Sequence, residues 1–227
     1  MDLKNKVVII TGGSKGLGKQ LALDLTKEGC KVVINSRSTK NLENAAKEIG
    51  AVSIAGDITN EEQVKNLAHE TIIKFGGIDI WINNAGIWLP HCNIEEMDMK
   101  KVHEMLEVNL FGTIYGSKYA LIEMKKKGEG TIINILTTSA LEGRAKSSGY
   151  GASKFAAMGF TNSLRKEAPQ LKVISVFPGG MQTHFFDEKM PDNYGDFMNT
   201  SYVSKLIIEN LKKDDPEEEQ IIKRPQV

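Results

Sequence analysis

Two cysteines, Cys30 and Cys92, are all that this chain of 227 residues contains. They are too few for a disulfide framework, and neither sits in a CxxC pair, so a stapled secreted scaffold and a thiol-based zinc or redox centre both drop out. Excess charge of either sign is missing: 29 lysines and arginines stand against 29 aspartates and glutamates. No basic block breaks that balance, and the electrostatic footprint of a nucleic-acid binder is absent. Long apolar runs are absent too. The opening "MDLKNK" passes into a strand-like run without a leader-like apolar stretch, and nothing beyond it reaches membrane-spanning length, which points to a cytoplasmic protein with no membrane partner. Neither His91 nor His184 has a second ligand at metal spacing, so no metal is expected. Repeats, low-complexity tracts and linkers are likewise missing. With 41% hydrophobic residues, one domain spanning 1–227 around a single core is the expectation.

What is present is a regular beat. Short β-branched runs recur: "KVVII" from Lys6, "KVVIN" from Lys31, "AVSIA" from Ala51, "IDIWIN" from Ile78, "TIINIL" from Thr131 and "KVISVF" from Lys172. They are apolar on both faces, as strands covered from two sides must be. Helix-like segments lie between them, for instance Leu17, Leu21 and Leu25 at four-residue spacing with Gly29 as a stop. This alternation predicts an α/β fold, a doubly wound parallel sheet of the Rossmann type flanked by helices. "KKDDPEEEQ" reads as a solvated turn before a last short strand at "QIIKR".

Between the first strand and the first helix stands "TGGSKGLG", Thr11 to Gly18. Glycines there permit tight backbone conformations and let a pyrophosphate approach amides at a helix N-terminus, so Gly12, Ser14, Lys15, Gly16, Leu17 and Gly18 form a candidate dinucleotide cradle. A plain glycine turn is the alternative. The end of the second strand, "INSRS", supplies Ser36 and Arg37 and no acid. Ribose hydroxyls call for an acid at that place and the extra phosphate for a cation, and Lys15 adds a second positive charge, so NADP(H) is expected over NAD(H). Otherwise both are solvated surface cations.

Further motifs follow in order: "GD" at Gly56 and Asp57, "NNAG" at Asn83 to Gly86, "VNLFG" from Val108, "YGASK" from Tyr150 and "PGGMQT" from Pro178. With the glycine loop, this ordered set resembles the short-chain dehydrogenase/reductase family over nearly the whole chain. The resemblance implies an NADP(H)-dependent oxidoreductase that moves a hydride between the nicotinamide and a carbonyl or alcohol substrate. It implies adenine contacts at Asp57 and Ile58, and a cofactor-side turn at Asn84, Ala85 and Gly86. Pro178, Gly179, Met181 and Thr183 would lie at the nicotinamide carboxamide, and Asn109 would order a water in a proton relay. Each has a plainer alternative: Asp57 as a helix cap, Asn83 and Asn84 as turn formers, Asn109 as a buried amide satisfied by backbone.

Tyr150 and Lys154 are four residues apart, which on a helix puts both on one face. A free phenol titrates near pH 10, and an adjacent ammonium lowers that value, so Tyr150 is expected as acid/base with Lys154 as its tuning charge. By resemblance Lys154 also holds the nicotinamide ribose. The family's active-site serine falls, counted three residues on from Asn134 and thirteen back from Tyr150, on Thr137. Ser139 is the other candidate hydroxyl.

Many relatives carry a longer C-terminal segment that packs across a tetramer, whereas this chain reads "EEEQIIKRPQV". A homodimer through the two long helices flanking the fifth strand is therefore expected over a tetramer. The substrate pocket should be walled by "IWLPHCNIEEM" after Gly86 and by a substrate loop at about 184–198. Trp88, Leu89, Phe185, Phe186 and Met190 there favour an apolar body, with His91 and His184 as further contacts. The rival function class is a non-catalytic NADP-binding redox sensor or scaffold, since a fold does not guarantee chemistry.

Overall fold

The computed structural model describes residues 1–186 and 189–224. Within them each β-branched run is a strand: β1 (Val7–Thr11), β2 (Lys31–Ser36), β3 (Val52–Ala55), β4 (Ile80–Asn83), β5 (Thr131–Ile135), β6 (Lys172–Pro178) and, from "QIIKR", β7 (Glu219–Ile222). The helices between them are α1 (Gly16–Lys27), α2 (Thr39–Ile49), α3 (Glu61–Phe75), α4 (Met99–Leu106), α5 (Gly112–Lys127), α6 (Ser148–Glu167) and α7 (Thr200–Lys212). All strands pair in parallel in the order β3-β2-β1-β4-β5-β6-β7. This is the doubly wound sheet the sequence predicts. The chain builds outward from β1 in one direction and then from β4 in the other, so the carboxyl ends of β1 and β4 flank the crevice where open α/β sheets take ligands.

Because successive strand side chains point to opposite faces, each strand feeds two cores. Val8, Ile10, Val32, Ile34, Ile80, Ile82, Ile174 and Val176 pack with α1, α2 and α7 residues such as Leu21, Leu42 and Ile207. Ile9, Val33, Trp81, Ile132 and Val173 pack on the other side with Leu67, Met124 and Leu164. α1 ends at Lys27, and Gly29 takes a φ of +84°, which stops the helix where the leucine spacing predicts.

Two asparagines interrupt this apolar sheet, and they meet. Asn83 Oδ1 accepts from Trp81 Nε1 at 2.8 Å, while its Nδ2 donates to Asn134 Oδ1 at 2.8 Å and Ser117 Oγ at 3.0 Å. Asn134 Nδ2 donates to Thr161 Oγ1 at 2.9 Å. The turn-former alternative for Asn83 therefore gives way to a buried node that ties β4, β5, α5 and α6 together. Trp81→Ala removes a fully buried indole and orphans one side of that node. It is expected to cost about 3–5 kcal/mol, read as a lower urea midpoint at unchanged slope.

Candidate active site

Thr11, at the end of β1, organises the crevice. Its hydroxyl oxygen accepts from the amides of Asn84 and Ala85, both at 3.1 Å, and Asn84 Nδ2 donates back to the carbonyls of Thr11 at 2.9 Å and Gly12 at 3.3 Å. The glycine loop and the turn after β4 are thus stitched side to side. Gly12 has φ +67°, and a Cβ on it would stand 2.9 Å from Ala85 Cα. A Cβ on Gly18 would run into the Asn84 amide and the Gly12 carbonyl. Only glycine lets the two loops close to this distance. α1 then begins with exposed Lys15 at its N-cap, with no side-chain cap and no acid in its first turn. The positive end of the helix is left for an anion. Ser14 is half-buried beside it, Leu17 sends its side chain into the core, and Gly16 sits against Thr183, whose Cβ lies 3.5 Å from where a Gly16 Cβ would be.

One end of the crevice lies past β2. Ser36 Oγ is buried and has no hydrogen-bond partner among the described residues. Exposed Arg37 lines a hollow of about 250 Å³ with Ala55, Gly56, Asp57 and Gln63. Asp57 does not cap α3, whose cap is Asn60. Instead its Oδ1 accepts from the Thr59 amide and hydroxyl, both at 2.9 Å, and its amide donates to Gln63 Oε1 at 2.8 Å. Ile58 turns its side chain into the core against Gly112.

The other end holds Tyr150, in the first turn of α6, and Lys154 one turn on. The Thr137 hydroxyl lies beside the phenol and partly offsets the effect of burial on its pKa. Thr137 Oγ1 accepts from the Ser139 amide at 3.3 Å. Lys154, buried, donates from Nζ to the Ile135 carbonyl at 3.1 Å. A Cβ on Gly86 would lie 3.2 Å from Asn109 Oδ1 and 3.6 Å from Lys154 Nζ, so the turn after β4 meets α6 here. Asn109 sits in a wide π-type turn, Glu107–Phe111, that joins α4 to α5. It trades two 2.9 Å bonds with the Ile87 peptide and donates to Ser153 Oγ at 3.1 Å, and Ser153 Oγ donates to the Tyr150 carbonyl at 2.8 Å. Both Asn109 amide hydrogens are used in this clamp, which fits the plainer reading of a buried amide satisfied by its surroundings.

Electrostatics here differ from the expectation of an acidified phenol. Burial raises the Tyr150 pKa above its ordinary value, offset in part by the Thr137 hydroxyl, and Lys154 contributes nothing resolved. Burial also lowers the Lys154 pKa from 10.5 to about 8. Taking both groups out of water disfavours both charged forms, and the ammonium is aimed at a carbonyl. Keeping Lys154 charged below pH 8 therefore costs the fold stability, and Lys154→Met is expected to be more stable than the parent at pH 7. Between pH 8 and 10.5 the unfolded lysine holds more proton than the folded one, so parent stability rises with pH and the gap narrows. Urea unfolding at pH 7, 9 and 10 measures it.

Of the residues expected to wall the pocket, Leu89 lines a cavity beside Tyr150, and the aromatic ones cluster on one another. Phe186 packs on Trp88, Phe185, Tyr194 and Phe197 at centroid separations of 5.1–6.1 Å. Phe185 lies 6.2 Å from the Tyr150 ring, edge to face, and covers the phenol. Met190 is exposed, and His91 stands edge-on to Trp88 at 5.4 Å. Residues 187 and 188 and the His184 side chain lie outside the described residues. At the end of β6, Pro178 is buried, the Gly179 amide donates to the Ile222 carbonyl at 3.0 Å, and Met181 forms a bridge with Met198. Thr183 Oγ1 accepts from the Phe185 amide at 3.3 Å.

With this geometry in place, comparison with known proteins decides the family: the model of the short chain dehydrogenases matches residues 6–193. The chain belongs to the short-chain dehydrogenase family. Such a protein is an oxidoreductase, and its family binds a nicotinamide cofactor. An uncharacterised oxidoreductase of Staphylococcus saprophyticus is 37% identical over 192 residues, 81% of each chain. Among solved structures, an alcohol dehydrogenase from the archaeon Thermococcus sibiricus, complexed with 5-hydroxy-NADP, superposes with TM-score 0.89 at 26% identity over 99% of this chain and 100% of that one. A 3-ketoacyl-(acyl-carrier-protein) reductase from Brucella melitensis, complexed with NADH, superposes with TM-score 0.90 at 26% identity over 97% of each chain. The residues of this short-chain dehydrogenase fit a dinucleotide: an uncapped helix start, an orphaned Ser36 hydroxyl and a hollow beside Arg37 lie along one crevice. Sequence reasoning missed Thr11, Ser153 and Asn134. For Thr11 and Asn134 the available signal was a polar side chain ending or inside an otherwise apolar strand; Ser153, on α6, carried none.

Proposed function

We propose that this short-chain dehydrogenase is an NADP(H)-dependent carbonyl reductase, running in reverse as an alcohol dehydrogenase, with Tyr150 as acid/base. The observation that carries the reading is the meeting of Thr137, Tyr150, Lys154 and Gly86 at the mouth of the crevice. Backbone of Gly12, Ser14, Gly16, Leu17 and Gly18 at the start of α1 holds the diphosphate. Lys15, Ser36 and Arg37 take the extra phosphate, Asp57 and Ile58 flank the adenine, and Asn84, Ala85 and Gly86 line the middle. Pro178, Gly179, Met181 and Thr183 hold the nicotinamide end. When bound, NADPH supplies the hydride that reaches the substrate's carbonyl carbon.

The chain's own residues deal with the oxygen. As charge develops there, the Thr137 hydroxyl donates a hydrogen bond and Tyr150 gives up its phenolic proton. Lys154, charged at neutral pH and held by the Ile135 carbonyl, holds the ribose. Asn109 clamps the loop after Gly86 and, through Ser153, the turn that carries Tyr150. The segment at about 184–198 closes over the substrate, and α5 and α6, with Phe111, Ile122 and Phe155 exposed, form the face of a homodimer.

Following NADPH absorbance against ketones and aldehydes tests the reading, with cofactor binding followed in parallel. Binding without turnover of any carbonyl overturns it in favour of a sensor. Thr137→Ala is expected to lower kcat by about 10²–10³-fold, with Ser139→Ala within twofold of the parent. The opposite pattern moves the active hydroxyl to Ser139.

A further inference from the structure

A cavity of about 160 Å³ opens beside Tyr150, between the loop after Gly86, α4 and the first turn of α6. Leu89, Cys92, Met97, Val102 and Met105 line it with Tyr150. The loop after Gly86 is the wall the sequence predicts; the side formed by α4 and Gly149 is not. A Cβ on Gly149 would already touch Val102 Cγ2 at 3.4 Å and Met105 Cε at 3.5 Å. Its lining is mainly apolar, with four charged residues at the rim: Lys101, Lys146 and two acids that are engaged by backbone. Glu96 Oε2 accepts from the Asn93 amide at 3.1 Å, and Asp98 Oδ1 accepts from the amides of Lys100 at 3.0 Å and Lys101 at 3.3 Å. On its other side Tyr150 is covered by Phe185.

We infer that this cavity receives the body of the carbonyl substrate, and that it selects a small ketone or aldehyde whose apolar part is about one six-membered ring. Size carries the inference. An apolar protein cavity of about 150 Å³ holds one benzene, so one ring fills this cavity, and a second fused ring has to displace a wall or project through the open side, where it gains no packing. The two methionines make that wall adjustable by a methylene or two but leave its volume small. The inference rests on the assignment of Tyr150 as the proton donor.

Two measurements separate the pocket from that assignment. The first is kcat/KM for cyclohexanone, acetophenone and 2-acetonaphthone with saturating NADPH. The single-ring ketones are expected to exceed the two-ring ketone at least tenfold, and Met97→Ala to reduce the ratio at least fivefold. The second uses the pocket's own thiol. Cys30 is buried with its pKa raised to about 12 by burial and nearby acids, which leaves Cys92 as the thiol that iodoacetamide alkylates. Cyclohexanone is expected to slow Cys92 alkylation at least fivefold, and 2-acetonaphthone to leave it unchanged. Equal turnover of one-ring and two-ring ketones, or turnover of cyclohexanone without protection of Cys92, overturns the pocket and leaves Tyr150 standing. Protection by cyclohexanone without turnover of any ketone supports the pocket and removes the Tyr150 assignment. Neither protection nor turnover overturns both.

Discussion

Tyr150→Phe is expected to lower kcat for carbonyl reduction by about 10²–10⁴-fold while NADPH affinity stays within twofold. The substitution deletes one oxygen from a ring that burial and the edge of Phe185 already hold in place. Packing is therefore preserved and the proton is lost. Because burial raises the phenol's pKa, Tyr150 carries its proton throughout the neutral range, the form needed to give it to an oxygen gaining charge. Alcohol oxidation needs the opposite form, and the same burial opposes it. The parent is expected to reduce carbonyls faster than it oxidises the matching alcohols at pH 7, with the alcohol reaction gaining as pH rises. Stopped-flow traces in both directions, with cofactor affinity by fluorescence titration, measure the contrast. A Tyr150→Phe variant with parental kcat would remove the phenol from the chemistry.

Arg37→Asp is expected to change cofactor choice about as strongly. Arg37 is exposed, makes no ion pair among the described residues, and lines the hollow past β2 whose other charged residue is Asp57. Asp57 spends one carboxylate oxygen on Thr59. A phosphate in that hollow therefore meets a free guanidinium, and replacing it with a carboxylate exchanges a charge-assisted bond of about 1.5–3 kcal/mol for repulsion. A combined change of about 3–4 kcal/mol corresponds to a fall of about 10²–10³-fold in the ratio of kcat/KM for NADPH over NADH. The ratio in the parent is expected to shrink with added salt, since the pair is exposed. A parent that prefers NADH would sink the assignment of Arg37.

Most of this fold was legible because parallel strands buried on both faces must be apolar throughout, and the runs from Lys6 to Lys172 are. The glycine loop was legible for a related reason, since no other residue type meets the Gly12 conformation so close to Ala85. Long-range pairing was not. Asn83 and Asn134 are 51 residues apart, and only the parallel register of β4 and β5 brings their amides to 2.8 Å. Leu17 and Ile58 show the limit of motif reading from the other side: both fall at positions the resemblance gives to the cofactor, yet their side chains serve the core. The phenol's environment was hidden as well. Four-residue spacing says that Tyr150 and Lys154 share a face of α6, but not that burial would outweigh the charge between them. The same holds for the cavity under Leu89, which exists only because α4 and α6 converge at Gly149.

A structure with NADP⁺ bound addresses the central claim most directly. The account predicts the nicotinamide between Gly86 and Thr183, the Tyr150 and Thr137 hydroxyls turned to the space over its ring, and Phe185 moved off the phenol. A nicotinamide ring bound elsewhere, with Phe185 still seated on Tyr150, would contradict it.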